Sequence, residues 1–379
     1  MRILQLTKHY PPDLGGIESV TFDLVEGLCQ NGYVCEVLCC NTRNVTLTDT
    51  TKRGYKIYRA ARIFKLASAS LSIDLIRIFK RINQQYDLIH VHLPDPLAAL
   101  ALYIIRPSCK IVIHWHSDIV KQKLLYKFVK PLETWLLKRA DSIIATSPPY
   151  ATSSNALAKF AEKVQVIPIG ITDVRPIMAT AEKEKSLSFL DGKKVVFALG
   201  RHVYYKGFEF LIEAAALLDD SYCVVIGGSG PLTDSYQELI RDLKLEHKVK
   251  LIGRVSDEDL NLYYQKATMF CLPSTHRSEA YGVVLIEAMK YGIPLVTTNI
   301  SGSGVSWVNK EGICGYNAPI KNSQALADCI RAIGDDNELH SRLSNAAKER
   351  FSSLFTSDKM IDSVIRLYEE INVPERTIV

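Results

Sequence analysis

The chain has 379 residues, too many for one typical hydrophobic core, so two domains are expected. Apolar residues make up 47% and charged residues 23%, close to the average for globular proteins, which excludes general disorder and fibrous repeats. The net charge of +5 conceals an asymmetry: through residue 172 there are 22 Lys and Arg against 13 Asp and Glu, and beyond it 24 against 28. An acidic second half, with aromatic residues that form no stacking platform, argues against a nucleic-acid binder.

The opening MRILQLTKHY carries a strand-like run too short for a signal-peptide core, and the longest apolar stretch, LAALALYII, stops at nine residues. Nine cysteines without a CxxC pair argue for reduced thiols in a cytoplasm. RILQLT reads as a strand, followed by a helix from about Ile17 to Asn31 and the strand VCEVLCC. The segment 52–81 follows, with nine basic side chains and one acid, Asp74. YDLIHVH, KIVIHWH and SIIATS are further strands, with a second basic and apolar stretch at residues 121–139.

Lys, Arg, Trp, Tyr and Leu at helical spacing suit a helix lying on an anionic membrane surface, so 52–81 and 121–139 are expected membrane contacts. The alternative is an ordinary surface helix whose apolar stripe faces its own core. Residues 173–194, DVRPIMATAEKEKSLSFLDGKK, are mostly polar without periodicity and read as a linker. KVVFALG, YCVVIGG, VKLIGRV, MFCLPS and PLVTT then repeat the alternation of strand and helix, and residues from 357 read as a final amphipathic helix.

Strands alternating with helices predict an α/β protein of two doubly wound, Rossmann-like domains, 1–172 and 173–356, with ligands in an inter-domain cleft at the carboxyl ends of the strands. Residues 357–379 form a third, terminal piece.

Several groups carry chemistry. ALGRHVYYKG places Arg201 and Lys206 in the loop leaving a strand, two cations suited to neutralise a departing diphosphate. On this reading Lys206 is a loop cation whose removal spares the fold; solvated loop charges are the alternative. VVIGGSGPL sets Gly227, Gly228 and Gly230 after a strand but lacks the third glycine of a dinucleotide fingerprint, so a tight turn and a nucleotide contact stand side by side. YPPDLGGIESV puts Gly15 and Gly16 at a helix start, an anion site or a turn. His90 with His92, and His114 with His116, share strand faces; zinc is possible geometrically, but polar contact to a sugar through His116 and Asp118 is the better reading. SDEDL, with Asp257 and Asp259, reads as a capping box rather than a metal-binding DxD. Finally, SEAYGVVLIEAMKYGIP sets Glu279 before an apolar helix and Glu287 inside it. Glu287 either pairs with Lys290 one turn on or, with Glu279, accepts hydrogen bonds from a ligand.

Together DLGGIE, HWHSD, GRHVYYKG, IGGSGPL, LIGRVSDEDL and SEAYGVVLIEAMKYGIPLV resemble the GT-B glycosyltransferases of family GT4, retaining and metal-independent, along nearly the whole chain. The most specific element is the E-x7-E pattern of Glu279 and Glu287; elsewhere, PIGITD departs from a common pattern of the family, with Ile169 where members often carry Asn-Gly. The resemblance implies that Glu287 holds ribose hydroxyls and Glu279 the donor sugar. Arg201 and Lys206 would grip the diphosphate, helped by the backbone N–H groups of Val283 and Val284. Gly228 and Gly230 would touch the donor, Gly16 would line the diphosphate side, and His116 would contact the transferred sugar. The last helix, within 357–379, would return across the amino-terminal domain, and both glutamates would find partners only when donor is bound. No cofactor or metal is implied beyond the nucleotide diphosphate sugar. SGSGVSWV suggests GDP-mannose; UDP-glucose, UDP-galactose, UDP-N-acetylglucosamine, a nucleotide-sugar 2-epimerase and a non-catalytic sugar-nucleotide sensor are the alternatives. The acceptor would be a glycan or a polyprenyl-diphosphate-linked chain, met at the inner face of the cytoplasmic membrane.

Overall fold

A computed structural model describes residues 1–13, 15–66, 69–119, 123–172 and 186–372. The proposed linker falls largely outside these residues, as do the first two residues of the 121–139 stretch. The chain forms two compact units, one of residues 1–172 together with everything from Thr356, the other of Asp173–Phe355.

The first unit contains β1 (Arg2–Leu6), β2 (Val34–Cys40), β3 (Leu47–Thr50), β4 (Lys56–Ala60), β5 (Phe64–Leu66), β6 (Ala69–Leu71), β7 (Leu88–Leu93), β8 (Lys110–Trp115), β9 (Ser142–Ala145) and β10 (Val164–Val166). Eight of these make one sheet in the order β10-β9-β8-β7-β1-β2-β4-β3, parallel except for β3 against β4. The central strands are apolar on both faces because helices cover both, and Ile3, Leu4, Val37, Leu38, Ile89 and Val91 are fully buried. β5 and β6 form a separate antiparallel hairpin.

Residues 52–81 are therefore not one amphipathic helix. KIYRA pairs as β4 with β2 and β3, and among the described residues of the segment only those of Ile73–Ile82 are helical, capped by Ser72. The basic count misleads for a physical reason: Arg59 is buried and turned inward, its Nε 2.8 Å from Asp49 and its Nη1 3.1 Å from the Tyr10 carbonyl. Its charge is spent inside the unit.

The last helix, Ser357–Asn372, packs on the first, Gly16–Gln30, with Ile361 against Gly27, where a Cβ would lie 1.9 Å from the Ile361 Cδ1. Tyr368 reaches the sheet itself, its hydroxyl bonding Gln5 of β1 and His90 of β7.

The second unit contains β11 (Lys194–Leu199), β12 (Tyr222–Gly227), β13 (Val249–Gly253), β14 (Met269–Leu272), β15 (Leu295–Thr298) and β16 (Gly315–Ala318). They form one wholly parallel sheet, β13-β12-β11-β14-β15-β16. Its core joins Val196, Val224, Ile226 and Val296 to Phe208, Leu211 and Ile330 from the covering helices. Both units are thus doubly wound α/β layers. In each the order of the parallel strands reverses at the centre of the sheet, between β1 and β7 and between β11 and β14, and such reversals open a crevice at the carboxyl ends of the strands.

Candidate functional site

The loops leaving β11 and β14, which diverge at the reversal of the second sheet, carry Arg201, Lys206 and Glu279. They are stitched together by backbone: the Thr275 N–H donates to the Tyr205 carbonyl at 2.8 Å. Gly207 permits this approach, since it adopts φ +65° and a Cβ there would lie 2.3 Å from the Pro273 oxygen.

Inside the joint, the Lys206 Nζ lies 2.6 Å from the Glu279 Oε2, and each residue is only 8% exposed. Ser274 Oγ donates to the same carboxylate oxygen at 3.0 Å, while Ser303 donates to the Glu279 carbonyl and Thr298 to the Ser274 carbonyl. Lys206 is not a solvated loop cation. Removing one member of such a buried pair leaves an uncompensated charge, which costs roughly 3–5 kcal/mol. Arg201, at the mouth of the same loop, is exposed, and its guanidinium has no hydrogen-bond or ion-pair partner among the described residues.

Glu287 lies in the helix Val283–Lys290, half-buried, and accepts from the Tyr264 hydroxyl at 2.7 Å. The Lys290 ammonium lies 5.1 Å from the centre of the Tyr291 ring. Both glutamates thus have protein partners, contrary to the expectation that only a bound donor would satisfy them. Acceptor-rich carboxylates in a crevice recruit the nearest protein donors, here a lysine, a serine and a tyrosine. Val283 and Val284 open their helix, where backbone N–H groups have no intrahelical partner.

Gly228 and Gly230 have reasons of their own. A Cβ on Gly228, at φ +112°, would lie 1.9 Å from the Gly200 oxygen, and one on Gly230 would lie 2.4 Å from the His202 oxygen. They let the loops after β11 and β12 pack together. Gly16 differs: apart from its chain neighbours and its own helix backbone, no atom of the described residues lies within 4 Å of its notional Cβ, so their packing does not require glycine there. SDEDL is a capping box, Ser256 Oγ accepting from the Asp259 N–H at 3.2 Å and donating to its carboxylate at 2.7 Å.

Gly16, His116 and Asp118 belong to the first unit, the remaining site residues to the second. His116 follows β8, and His92 and His114 face each other in the β7–β8 register. His90, His92, His114 and His116 are all buried, and removal from water pushes each imidazole pKa down, that of His114 to about 3. They are held neutral. Nitrogens of His90, His92 and His114 lie within 4.8 Å of one another, the one such cluster among the described residues. As a metal centre it falls short, because His92 spends both nitrogens on His116 (3.0 Å) and Gln5 (2.9 Å).

Sequence reasoning missed Ser274, Ser303 and Tyr264. Ser274 sits one residue past the Pro that ends β14, a signal within reach; Tyr264 is set by helix packing that no local pattern reveals.

Residues 179–350 match the family described as glycosyl transferases group 1, and residues 14–175 match glycosyltransferase family 4. The chain is 32% identical to the O-antigen chain mannosyltransferase C of Escherichia coli over 97% of this chain and 98% of that protein. It is also 32% identical to the D-rhamnosyltransferase WbpZ of Pseudomonas aeruginosa, over 94% and 93%. Among solved structures, sucrose-phosphate synthase from Thermosynechococcus elongatus superposes with a TM-score of 0.83 at 21% identity, covering 98% of both chains.

Lys206→Ala is expected to lower unfolding free energy by about 3 kcal/mol, and Lys206→Ala with Glu279→Gln to recover most of it, in urea titrations. Additive losses would remove the pair from the stability of the fold. The buried histidines give a second expectation. Their folded pKa values lie below the ordinary value near 6.5, so the unfolded chain binds more protons and stability, present above pH 6.5, is lost as pH falls. Each contributes up to about 1.4 kcal/mol per pH unit. Asp23, raised by burial to about 6, acts with the opposite sign and offsets one of them. Stability should therefore fall by several kcal/mol between pH 7 and pH 5, and a flat profile would refute the neutral cluster.

Proposed function

The chain belongs to the GT-B glycosyltransferases of group 1, family 4, and on that premise we propose that it transfers a hexose, GDP-mannose being the preferred donor, to a glycan or polyprenyl-diphosphate-linked acceptor of a cell-surface polysaccharide. The observation that carries the reading is the junction of Lys206 and Glu279 at the sheet reversal, with the exposed Arg201 opening the same loop.

In this reading a nucleoside diphosphate brings two phosphates to a site that already holds positive charge. Arg201 offers an unpaired, planar set of donors, and Lys206 exchanges part of its pairing with Glu279 for a phosphate oxygen. The N–H groups of Val283 and Val284 add the positive end of their helix. Glu279, released from part of its ion pair, accepts a sugar hydroxyl, and Glu287 accepts the ribose hydroxyls beside Tyr264. Gly16 lets backbone approach the diphosphate, and Gly228 and Gly230 keep their loop close by.

As the bond from the anomeric carbon to the phosphate oxygen breaks, charge grows on the diphosphate, where fixed cations stabilise it most. The acceptor hydroxyl attacks from the same face and gives its proton to the departing phosphate, so configuration is retained. No metal ion is assigned a step. The choice of mannose rests on the SGSGVSWV string and the E. coli relative; the P. aeruginosa relative, at the same 32% identity, is a rhamnosyltransferase.

One surface of the first unit supports the membrane reading. The helix Pro96–Ile105 packs against β6, the helix Ile73–Ile82 and the helix Lys123–Arg139, so both basic stretches converge on it. It exposes Tyr103 and Ile104, with Trp135 edge-on to Tyr103 at 5.1 Å and Lys127, Lys130 and Lys138 beside it. Ile63, Phe64, Leu71 and Ile73 are exposed on the hairpin side. Apolar side chains ringed by lysines suit an anionic lipid surface. No helix among the described residues is long and apolar enough to cross a membrane.

A donor panel of GDP-mannose, UDP-glucose, UDP-galactose and UDP-N-acetylglucosamine, with a polyprenyl-diphosphate-linked acceptor and product mass readout, tests the assignment. GDP-mannose should give a product with retained configuration, also in the presence of EDTA, and Arg201→Ala should lower turnover by about two orders of magnitude. Transfer from UDP-sugars alone would replace the donor, and inversion would remove the same-face mechanism. Co-sedimentation with anionic liposomes should fall steeply with salt and be weakened by Ile104→Ser with Lys130→Glu. Salt-insensitive sedimentation would return both stretches to ordinary surface.

A further inference from the structure

The histidine cluster is linked into a chain of hydrogen bonds whose direction can be followed atom by atom. It runs from His116 Nε2 to His92 Nδ1 at 3.0 Å, from His92 Nε2 to Gln5 Oε1 at 2.9 Å, from Gln5 Nε2 to the Tyr368 hydroxyl at 3.5 Å, and from that hydroxyl to His90 Nδ1 at 2.5 Å. The members come from β1, β7, the end of β8 and the final helix, and all are buried. A buried chain of this kind has few consistent arrangements of its protons.

An amide oxygen only accepts, so His92 must carry its proton on Nε2 to bond Gln5. A neutral imidazole has one proton, which makes His92 Nδ1 an acceptor. The proton in the His92–His116 bond then belongs to His116 Nε2. By the same count His116 Nδ1 holds a lone pair, and this nitrogen has no partner among the described residues. At the other end, Tyr368 receives the Gln5 amide and keeps its own proton for His90 Nδ1. The Gln5–Tyr368 contact is long and weak, and the Gln5–His92–His116 part is the firm one.

We propose that Gln5 and His92 are positioning residues that hold His116 as its Nε2–H tautomer, so that Nδ1 of His116 is an obligate acceptor for a hydroxyl of a bound sugar, with Tyr368 of the last helix steadying the Gln5 amide. The tautomer follows from the first unit alone. Only its use, accepting a sugar hydroxyl, rests on the glycosyltransfer reading above. A rotated Gln5 amide would reverse each bond and leave the proton on Nδ1 of His116, turning an acceptor into a donor.

Long-range proton–nitrogen correlation spectra of the 15N-labelled full chain at pH 7.5, with His116→Gln to assign the resonance, decide the matter without any donor present. The expected result is a single His116 species protonated on Nε2 in the wild type. In Gln5→Met, which keeps the volume and loses the acceptor, His116 should become a mixture of tautomers, while His340, a second-unit histidine whose Nε2 lies 2.8 Å from the Thr268 carbonyl oxygen, is unchanged. A wild-type His116 protonated on Nδ1, a wild-type mixture, or a Gln5→Met spectrum unaltered at His116 would overturn the proposal. Since the spectra involve no turnover, failure of the donor assignment leaves this result standing, and the reverse holds as well.

Discussion

The ion pair of Lys206 and Glu279 is the interaction on which the second unit's crevice depends. Two loops leave neighbouring strands in diverging directions, and hydration would draw their charged side chains outward. Pairing at 2.6 Å, nearly out of water and with Ser274 as a third member, turns both charges inward and holds the loops against each other. A buried pair of this kind contributes little net stability compared with apolar packing, but it is costly to break from one side. It therefore suits a place where charge must be kept ready rather than where the fold must be held.

The surroundings of the pair follow from that constraint. Gly207 gives the close backbone approach that brings Tyr205 to Thr275, and Gly228 removes the side chain that would strike the Gly200 carbonyl. Glu287 is arranged on the same principle, with its carboxylate held by Tyr264. In both cases a residue suited to hydroxyl recognition is kept in place by a protein donor. The first unit contributes a different chemistry: neutral imidazoles, buried together and ordered by an amide and a phenol. Among the candidate site residues, the charged Arg201, Lys206, Glu279 and Glu287 lie in the second unit and the uncharged, directional imidazoles in the first.

Much of this was legible in the sequence. Apolar runs such as KVVFALG and YCVVIGG, bounded by glycine, can only be buried parallel strands when helices alternate with them, and both sheets contain them. The glutamate spacing around an apolar helix marked Glu279 and Glu287. What could not be read were properties of pairs distant in the chain. Arg59 looked like surface charge because Asp49 reaches it only once β3 turns back on β4. Lys206 looked like a loop cation because its partner lies 73 residues on. Strands β3, β4, β5, β6, β10 and β16 were not singled out; they are short, or rich in polar and basic residues, and sheet pairing rather than local pattern decides them. Gln5 and Tyr368 drew no attention, since a lone glutamine in a strand and a tyrosine on an amphipathic helix carry no signal until the helix is docked.

On the proposed function, the Lys206–Glu279 pair guards the place where a donor's diphosphate would bind. Isothermal titration of GDP and UDP into the wild type, Glu279→Gln and the double variant Lys206→Met with Glu279→Gln tests it most directly. Freed of its internal counter-charge in Glu279→Gln, Lys206 should bind nucleoside diphosphate at least as tightly as in the wild type, while the double variant should bind about tenfold or more weakly, the loss of one charge-assisted contact. Equal affinities for all three proteins would contradict the account.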